Sequence, residues 1–308
     1  MPGTLSRCVD LHCRSSASAC GGGTPAAVVQ AARACGCVAL SITDVDSVDA
    51  VENGREAAVE CDLEYLSGVE LSVAVDDPAL PEKHAALLAY GIEVTAALAG
   101  HCSRLRRAAE ERNEEFLARL FALDMADLSE EDLREHVKRS YGEADAWKRP
   151  LSLGPIAELL VERGCLESAD CAAALALQRR VCADLDALAL PALEPACELV
   201  RGAGGVVMLA RPLGPVATQP GGETQRLRHW LDRYVDGLEI YLPGYGAPAR
   251  QLLLDVAASL QRPWCGGSDA SPRDRAGRPV VCDAPAASVE SIRQFRDSGR
   301  CRAFPQGG

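Results

Sequence analysis

Charged and imidazole side chains recur at one phase of this chain, at or just past the ends of short apolar runs. Asp10 and His12 close the first run, Asp44 and Asp46 follow the second, and Glu70 closes the third. Arg211 follows a run late in the chain and Asp269 follows the last. Histidine and carboxylates are the side chains that hold divalent ions or move protons. Arginine stays protonated and cannot donate to a metal, but its planar fork suits carboxylate and phosphate oxygens. In a parallel β/α array the C-terminal strand ends share one face, where loops build the active site. These residues are therefore expected to converge on one cleft. The competing reading is that charged residues simply open loops.

Other chemistry is poorly supported. Ser15, Ser268 and Ser271 offer hydroxyls, but no histidine has triad-like placement, which disfavours acyl transfer. Gly21 to Gly23 precede a helix but lack the G-K-[ST] ending of a nucleotide-triphosphate loop. His84 precedes an apolar run, whereas His101, His136 and His229 sit in helical patterns beside charged residues and read as surface helix positions. Arg104, Arg106 and Arg107 read as the solvated face of a helix.

The elements that must position the cleft alternate in type. Strands are expected at residues 8–12, 38–42, 63–69 and 84–90, with helices over 24–34 and 47–59 between the first three. Thr24-Pro25 supplies an N-cap followed by proline at the first helical position. From about 97 to 201 the pattern turns helical, and Leu105, Ala108, Leu117, Leu120 and Phe121 fit one apolar stripe. Strands return at 206–210, 237–241 and 264–267, with helices over 224–234, 247–260 and 288–297. Strand followed by helix is βαβ logic and implies a parallel sheet or barrel. The expected division is 1–98 and 203–308 as two parts of one barrel, with 99–202 inserted.

Composition narrows the class. The chain has 308 residues, 48% hydrophobic and 25% charged, enough to build a core and too apolar for wholesale disorder. A net charge of −12 disfavours extended nucleic-acid binding. No run reaches the roughly 18 apolar residues of a membrane span, so no membrane partner is expected. Met1 to Arg7 lack the apolar run of a signal peptide, and the expected setting is the cytoplasm. The 14 cysteines are then expected to be reduced, most of them acting as small buried hydrophobes.

Five motifs carry a resemblance. Asp10-Leu11-His12-Cys13-Arg14-Ser15, Ile42-Thr43-Asp44-Val45-Asp46, Gly68-Val69-Glu70, Ala210-Arg211-Pro212 and Gly267-Ser268-Asp269 occur in the order of the motifs of the PHP (polymerase and histidinol phosphatase) family. The chain resembles that family over nearly its whole length. The resemblance implies an α/β fold, a distorted (β/α)7 TIM-like barrel with an inserted α-helical subdomain. It also implies hydrolysis of phosphate esters with two or three metal ions, and the subgroup it most resembles acts on nucleoside bisphosphates or RNA 5′ ends.

The departures from the family pattern fall on its ligands. The family reads D-L-H-x-H-S where this chain has Arg14, and S-D-G where it has Ser18-Ala19-Cys20-Gly21. Val45 stands for the histidine of T-D-H-D, Arg211 for that of A-H-P and Ser271 for that of G-S-D-x-H. A further histidine expected near Ala89-Tyr90 is missing unless His84 takes its place. His12, Glu70 and Asp269 remain as metal ligands, with Cys20 a candidate fourth. The expected cofactor is one divalent ion (Mn, Zn or Mg) or none. Arg14 and Arg211 would supply fixed charge in place of metals and bind the anion of a phosphorylated small molecule or nucleotide. They cannot generate a metal-activated hydroxide, so hydrolysis is expected to be weak or lost. The alternatives are an active single-metal phosphoesterase, a non-catalytic interaction protein, or arginines that merely face solvent.

Overall fold

The structure, a computed structural model, describes residues 8–18, 21, 23–76, 83–123, 129–141, 153–167, 171–184, 189–214, 223–269 and 284–299. Its first strand, β1 (Cys8–Cys13), leads into α1 (Pro25–Ala34), β2 (Cys37–Ile42) and α2 (Val51–Glu60). Thr24 caps α1 by accepting from the Ala27 N–H at 3.2 Å, and Val28, Val29 and Ala32 form its buried stripe. The second helix starts four residues later than its sequence suggests. Asp46 adopts a left-handed φ of +49° and its carboxylate accepts the Ser72 N–H at 2.9 Å, so the chain is tied to the neighbouring strand before it can coil.

The single strand expected over 63–69 is two. β3 (Glu64–Tyr65) pairs with β2, whereas β4 (Gly68–Ala74) pairs with β5 (His84–Tyr90). The break falls at Leu66 and Ser67, where the Leu66 N–H still reaches Leu40 O while Ser67 O accepts from Gly91 N. Gly68 allows the close passage, since a Cβ there would lie 2.4 Å from Ser41 Oγ.

The strands form two sheets, in the orders β3-β2-β1-β9 and β4-β5-β6-β7-β8, with β6 Val206–Leu209, β7 Gly237–Tyr241, β8 Trp264–Gly266 and β9 Ala284–Pro285. The described strands therefore do not close into one ladder. Nor are they parallel throughout: β5 runs antiparallel to both β4 and β6. The link from β4 to β5 is too short for the dozen or more residues of a parallel crossover. Two seams bring the sheets together. One is a parallel bridge from Val45 to Glu70, and the other is the Asp269 N–H donating to His12 O at 2.8 Å. Gly267 lies at the second seam, where a Cβ would fall 2.2 Å from His12 N.

Between β5 and β6 run α3 (Ala96–Ala122), α4 (Glu130–Tyr141), α5 (Leu153–Glu162), α6 (Cys171–Val181) and α7 (Leu193–Gly202). Phe116, Leu117, Leu120, Leu133, Ile156, Leu160 and Leu177 make one core, separate from the core on the sheets. Leu98, Cys102, Cys197 and Val200 belong to the sheet core instead. Phe121 was expected on the apolar stripe of α3 but is 62% exposed. The buried aromatic is Phe116, which shares a face with Leu120 four residues on. His136 also departs from its expected surface position. It is buried between α4 and α5, its Nε2 3.0 Å from Glu158 Oε2 and its Nδ1 3.2 Å from Glu162 Oε1. Helices α8 (Thr224–Arg233), α9 (Ala247–Ser259) and α10 (Ala287–Asp297) complete the fold, close to their expected limits. Cys8, Cys13, Cys35, Cys37, Cys61, Cys102, Cys165, Cys182, Cys197 and Cys265 are free thiols.

Candidate functional site

His12 stands near the end of β1 with its side chain fully buried. Its Nδ1 lies 2.6 Å from Glu239 Oε1, on β7, and its Nε2 lies 3.1 Å from Glu70 Oε2, on β4. Burial by itself would discharge the imidazole. The carboxylates of Glu239 and then Glu70 outweigh it and hold the histidine pKa up at about 10. At neutral pH the ring is therefore a cation with both nitrogens committed.

Two guanidinium groups close the arrangement. Arg14 donates from Nη2 to Glu70 Oε2 at 2.8 Å and to Asp269 Oδ1 at 2.6 Å. It adds an Nε contact to Glu70 Oε2 at 3.1 Å and an Nη1 contact to the Asp269 carbonyl at 3.2 Å. Arg211 donates from Nη1 to the same Asp269 Oδ1 at 2.7 Å and from Nη2 to Glu70 Oε1. Its backbone N–H donates to Glu239 Oε2 at 2.9 Å. Burial of Glu70 would favour its neutral form, but Arg14, His12 and Arg211 reverse that and hold its carboxyl well below the usual range. Three cations thus face the three carboxylates of Glu70, Glu239 and Asp269. The side chain of Arg14 is 11% exposed and those of Arg211 and Asp269 are 23% exposed, so the cluster opens to solvent on the Arg211 and Asp269 side.

Further carboxylates support the loops. Asp10 accepts the N–H groups of Ser268 at 2.9 Å and His12 at 3.2 Å, joining β1 to the segment after β8. Asp44 accepts the Ser15 N–H at 2.7 Å and its hydroxyl at 2.6 Å, which fixes the loop that carries Arg14. Burial raises the pKa of Asp10, and those of Asp44 and Asp46 to about 6, against the pull of their hydrogen bonds to Ser268, Ser15 and Ser72. Backbone strain gathers at the same place: Asp46, Arg211 and Asp269 have φ of +49°, +46° and +52°. Left-handed conformations cost a non-glycine residue about 1 kcal/mol or more and concentrate at functional sites.

Of the seven strand-end residues expected at the cleft, His12, Glu70, Arg211 and Asp269 meet in this cluster together with Arg14, whereas Asp10, Asp44 and Asp46 bond to the supporting backbone instead. Cys20 and Ser271 lie outside the described residues. His84 does not fill the missing histidine's place: it pairs with Ala74, four residues beyond Glu70 and so about 13 Å along the strand. Glu239 was missed by sequence reasoning. Its signal was a lone acid inside an apolar strand, Gly237-Leu238-Glu239-Ile240-Tyr241, which burial makes costly without a partner.

As arranged, these residues do not fit a divalent ion. Both nitrogens of the His12 ring are engaged by Glu239 and Glu70, and guanidinium groups cover the Glu70 oxygens and Asp269 Oδ1. Among the described residues no group of three or more His, Cys, Asp or Glu side chains is placed to hold a metal.

The family model for the PHP domain matches residues 10–178. No curated protein matches the chain. Among solved structures, a candidate metal-dependent phosphoesterase from Bifidobacterium adolescentis superposes with a TM-score of 0.71 at 25% identity, covering 93% of this chain and 95% of that one. An amidohydrolase from Chromobacterium violaceum, solved with bound sulfate and no metal, shares the fold with a TM-score of 0.68 at 21% identity, covering 94% and 96%.

Proposed function

The chain belongs to the PHP domain family, and from that premise we propose that it is a phosphoesterase-like protein whose metal ions are replaced by Arg14 and Arg211. Its cleft then takes the phosphoryl group of a small phosphorylated molecule or nucleotide, with the hydrolytic step weak or lost. The observation that carries this reading is that both guanidinium groups reach both Glu70 and Asp269. Fixed positive charge between carboxylates offsets the cost of burying them, which is the electrostatic part of what a metal ion does. The forks also match phosphate oxygens in pairs. A guanidinium cannot lower the pKa of a bound water toward 7, and that is the part on which metal-assisted hydrolysis depends. In the same reading the two sheets, which meet at both seams, are arcs of one distorted (β/α)7 TIM-like barrel. Residues 99–202 are its helical insertion.

The test combines elemental analysis with calorimetry. The protein, purified without chelator, is incubated with manganese and zinc, freed of excess ion and analysed, then titrated with inorganic phosphate and with a nucleoside monophosphate. Metal near zero, with phosphate binding that Arg211→Ala weakens at least tenfold, is the expected result. One tightly held ion per chain, lost in His12→Ala or Asp269→Ala, overturns the proposal in favour of a single-metal phosphoesterase. Binding of neither metal nor phosphate overturns it in favour of an interaction protein.

A further inference from the structure

A pair of thiols lies away from the charged cluster, at the opposite end of the same two strands. Cys8 opens β1 and Cys37 opens β2, and the parallel ladder pairs their Cα atoms. Adjacent strands run about 4.8 Å apart, inside the roughly 4.4–6.8 Å Cα separation that a disulfide spans. The Cys8 thiol points at the Cys37 sulfur, with the two Sγ atoms 4.0 Å apart. Each sulfur has to move only about 1 Å to reach bonding distance, a small change in side-chain torsion. The two differ in access: Cys8 is half-buried, whereas Cys37 is 4% exposed and packs with Val28, Leu40 and Ala57.

We propose that Cys8 and Cys37 form an oxidative modification site, in which a hydroperoxide oxidises Cys8 and Cys37 resolves it to a disulfide across the two adjacent strands. The Cys8 thiolate attacks one oxygen of hydrogen peroxide, the O–O bond breaks, and hydroxide leaves with Cys8 as its sulfenic acid. The Cys37 sulfur then attacks the Cys8 sulfur. The S–O bond breaks and, with the Cys37 proton, the departing oxygen leaves as water. Two thiols and one peroxide thus give one disulfide and two waters. The order of the steps follows from access. Cys8 meets the reagent, and the buried Cys37 is its register partner. Burial and then the neighbouring Cys8 push the Cys37 thiol up, which also assigns the first attack to Cys8.

The experiment treats the reduced full chain with stoichiometric hydrogen peroxide, alkylates the remaining thiols and maps unreduced tryptic peptides with fragmentation. Cleavage after Arg7, Arg14, Arg33 and Arg55 places Cys8 with Cys13 in one peptide, and Cys35 with Cys37 in another. The expected product is those two peptides joined through Cys8 and Cys37, two hydrogens lighter than their sum. It persists in Cys13→Ser and Cys35→Ser and is lost in Cys8→Ser. In Cys37→Ser, Cys8 accumulates as a dimedone-trapped sulfenic acid. The proposal is overturned if Cys8 of the unsubstituted protein stops at sulfenic or sulfinic acid while Cys37 remains alkylatable. It is equally overturned if the link runs through Cys13 or Cys35.

Discussion

Asp269 is the acid through which the anion-binding reading is most exposed to test. Its Oδ1 accepts from Arg14 Nη2 at 2.6 Å and from Arg211 Nη1 at 2.7 Å, so one carboxylate oxygen occupies the point where both forks converge. It stands on the solvent side of the cluster, whereas Glu70 is buried beneath it. An incoming phosphate must displace this carboxylate or lie beside it. Two unit charges about 4 Å apart interact by roughly 4 kcal/mol at an effective dielectric of 20 and by about 1 kcal/mol in water. A site open on one side falls between those limits, at about 1–3 kcal/mol, or roughly 5-fold to 150-fold in affinity. Asp269→Asn removes the charge while keeping the shape. It is therefore expected to tighten inorganic phosphate binding by about fivefold or more, measured by calorimetry at pH 7.5 and low ionic strength. The gain should shrink as salt is raised, and it should disappear when Arg211→Ala is added. Equal or weaker binding in Asp269→Asn would refute the reasoning, because Asp269 would then be positioning the arginines and not competing with the ligand.

Three further outcomes follow from the same contacts. Arg14→His combined with Arg211→His is expected to create a site for at least one manganese or zinc ion, read by elemental analysis, and failure to gain any metal would sink the assignment of those positions to a former cage. His12 has its pKa raised from 6.5 to about 10, so its contribution to stability is fully present below pH 6.5 and lost as pH rises through about 10. The thermal midpoint should accordingly fall over that interval, by an amount corresponding to at most a few kcal/mol, and Glu239→Gln should flatten the fall; an unchanged slope would show that the ion pair does not form. In the helical segment Phe116→Ala should cost about 3–5 kcal/mol in urea unfolding, while Phe121→Ala on the exposed face should stay within about 0.5 kcal/mol; the reverse order would displace the core assigned to α3.

What could be seen in the sequence were the features that local chemistry determines. Thr24-Pro25 announces a helix start whatever packs on it. The acids, His12 and the arginines at strand ends were visible because apolar runs end there. What could not be seen depended on partners far along the chain. Leu63 to Val69 reads as one strand because its residues all suit a buried sheet, yet its two halves pair with β2 and β5. The direction of β5 is equally silent in its composition, since His84-Ala85-Ala86-Leu87-Leu88-Ala89-Tyr90 pairs as well antiparallel as parallel. Phe121 failed for a narrower reason. An apolar stripe fixes a helix face only to within one residue, and Phe116 and Phe121 stand five apart, more than a full turn and so about 140° around the axis.

Glu239 shows why the charged centre must be understood as a whole. Its two oxygens serve different partners, His12 Nδ1 through Oε1 and the backbone N–H of Arg211 through Oε2. The second contact anchors Arg211 in its left-handed conformation, which sets the direction from which its guanidinium enters the cluster. Glu70 is divided in the same way, with Oε2 facing Arg14 and His12 and Oε1 facing Arg211. Without Arg211, Oε1 of this buried carboxylate would be left uncompensated, and an uncompensated buried charge costs several kcal/mol, whereas without Arg14 Oε2 would keep His12. Arg211 is therefore the guanidinium that Glu70 cannot lose without leaving an oxygen bare, while Arg14 joins Glu70 to Asp269. The same division leaves Asp269 as the member of the cluster whose charge the site can lose without leaving a buried carboxylate bare.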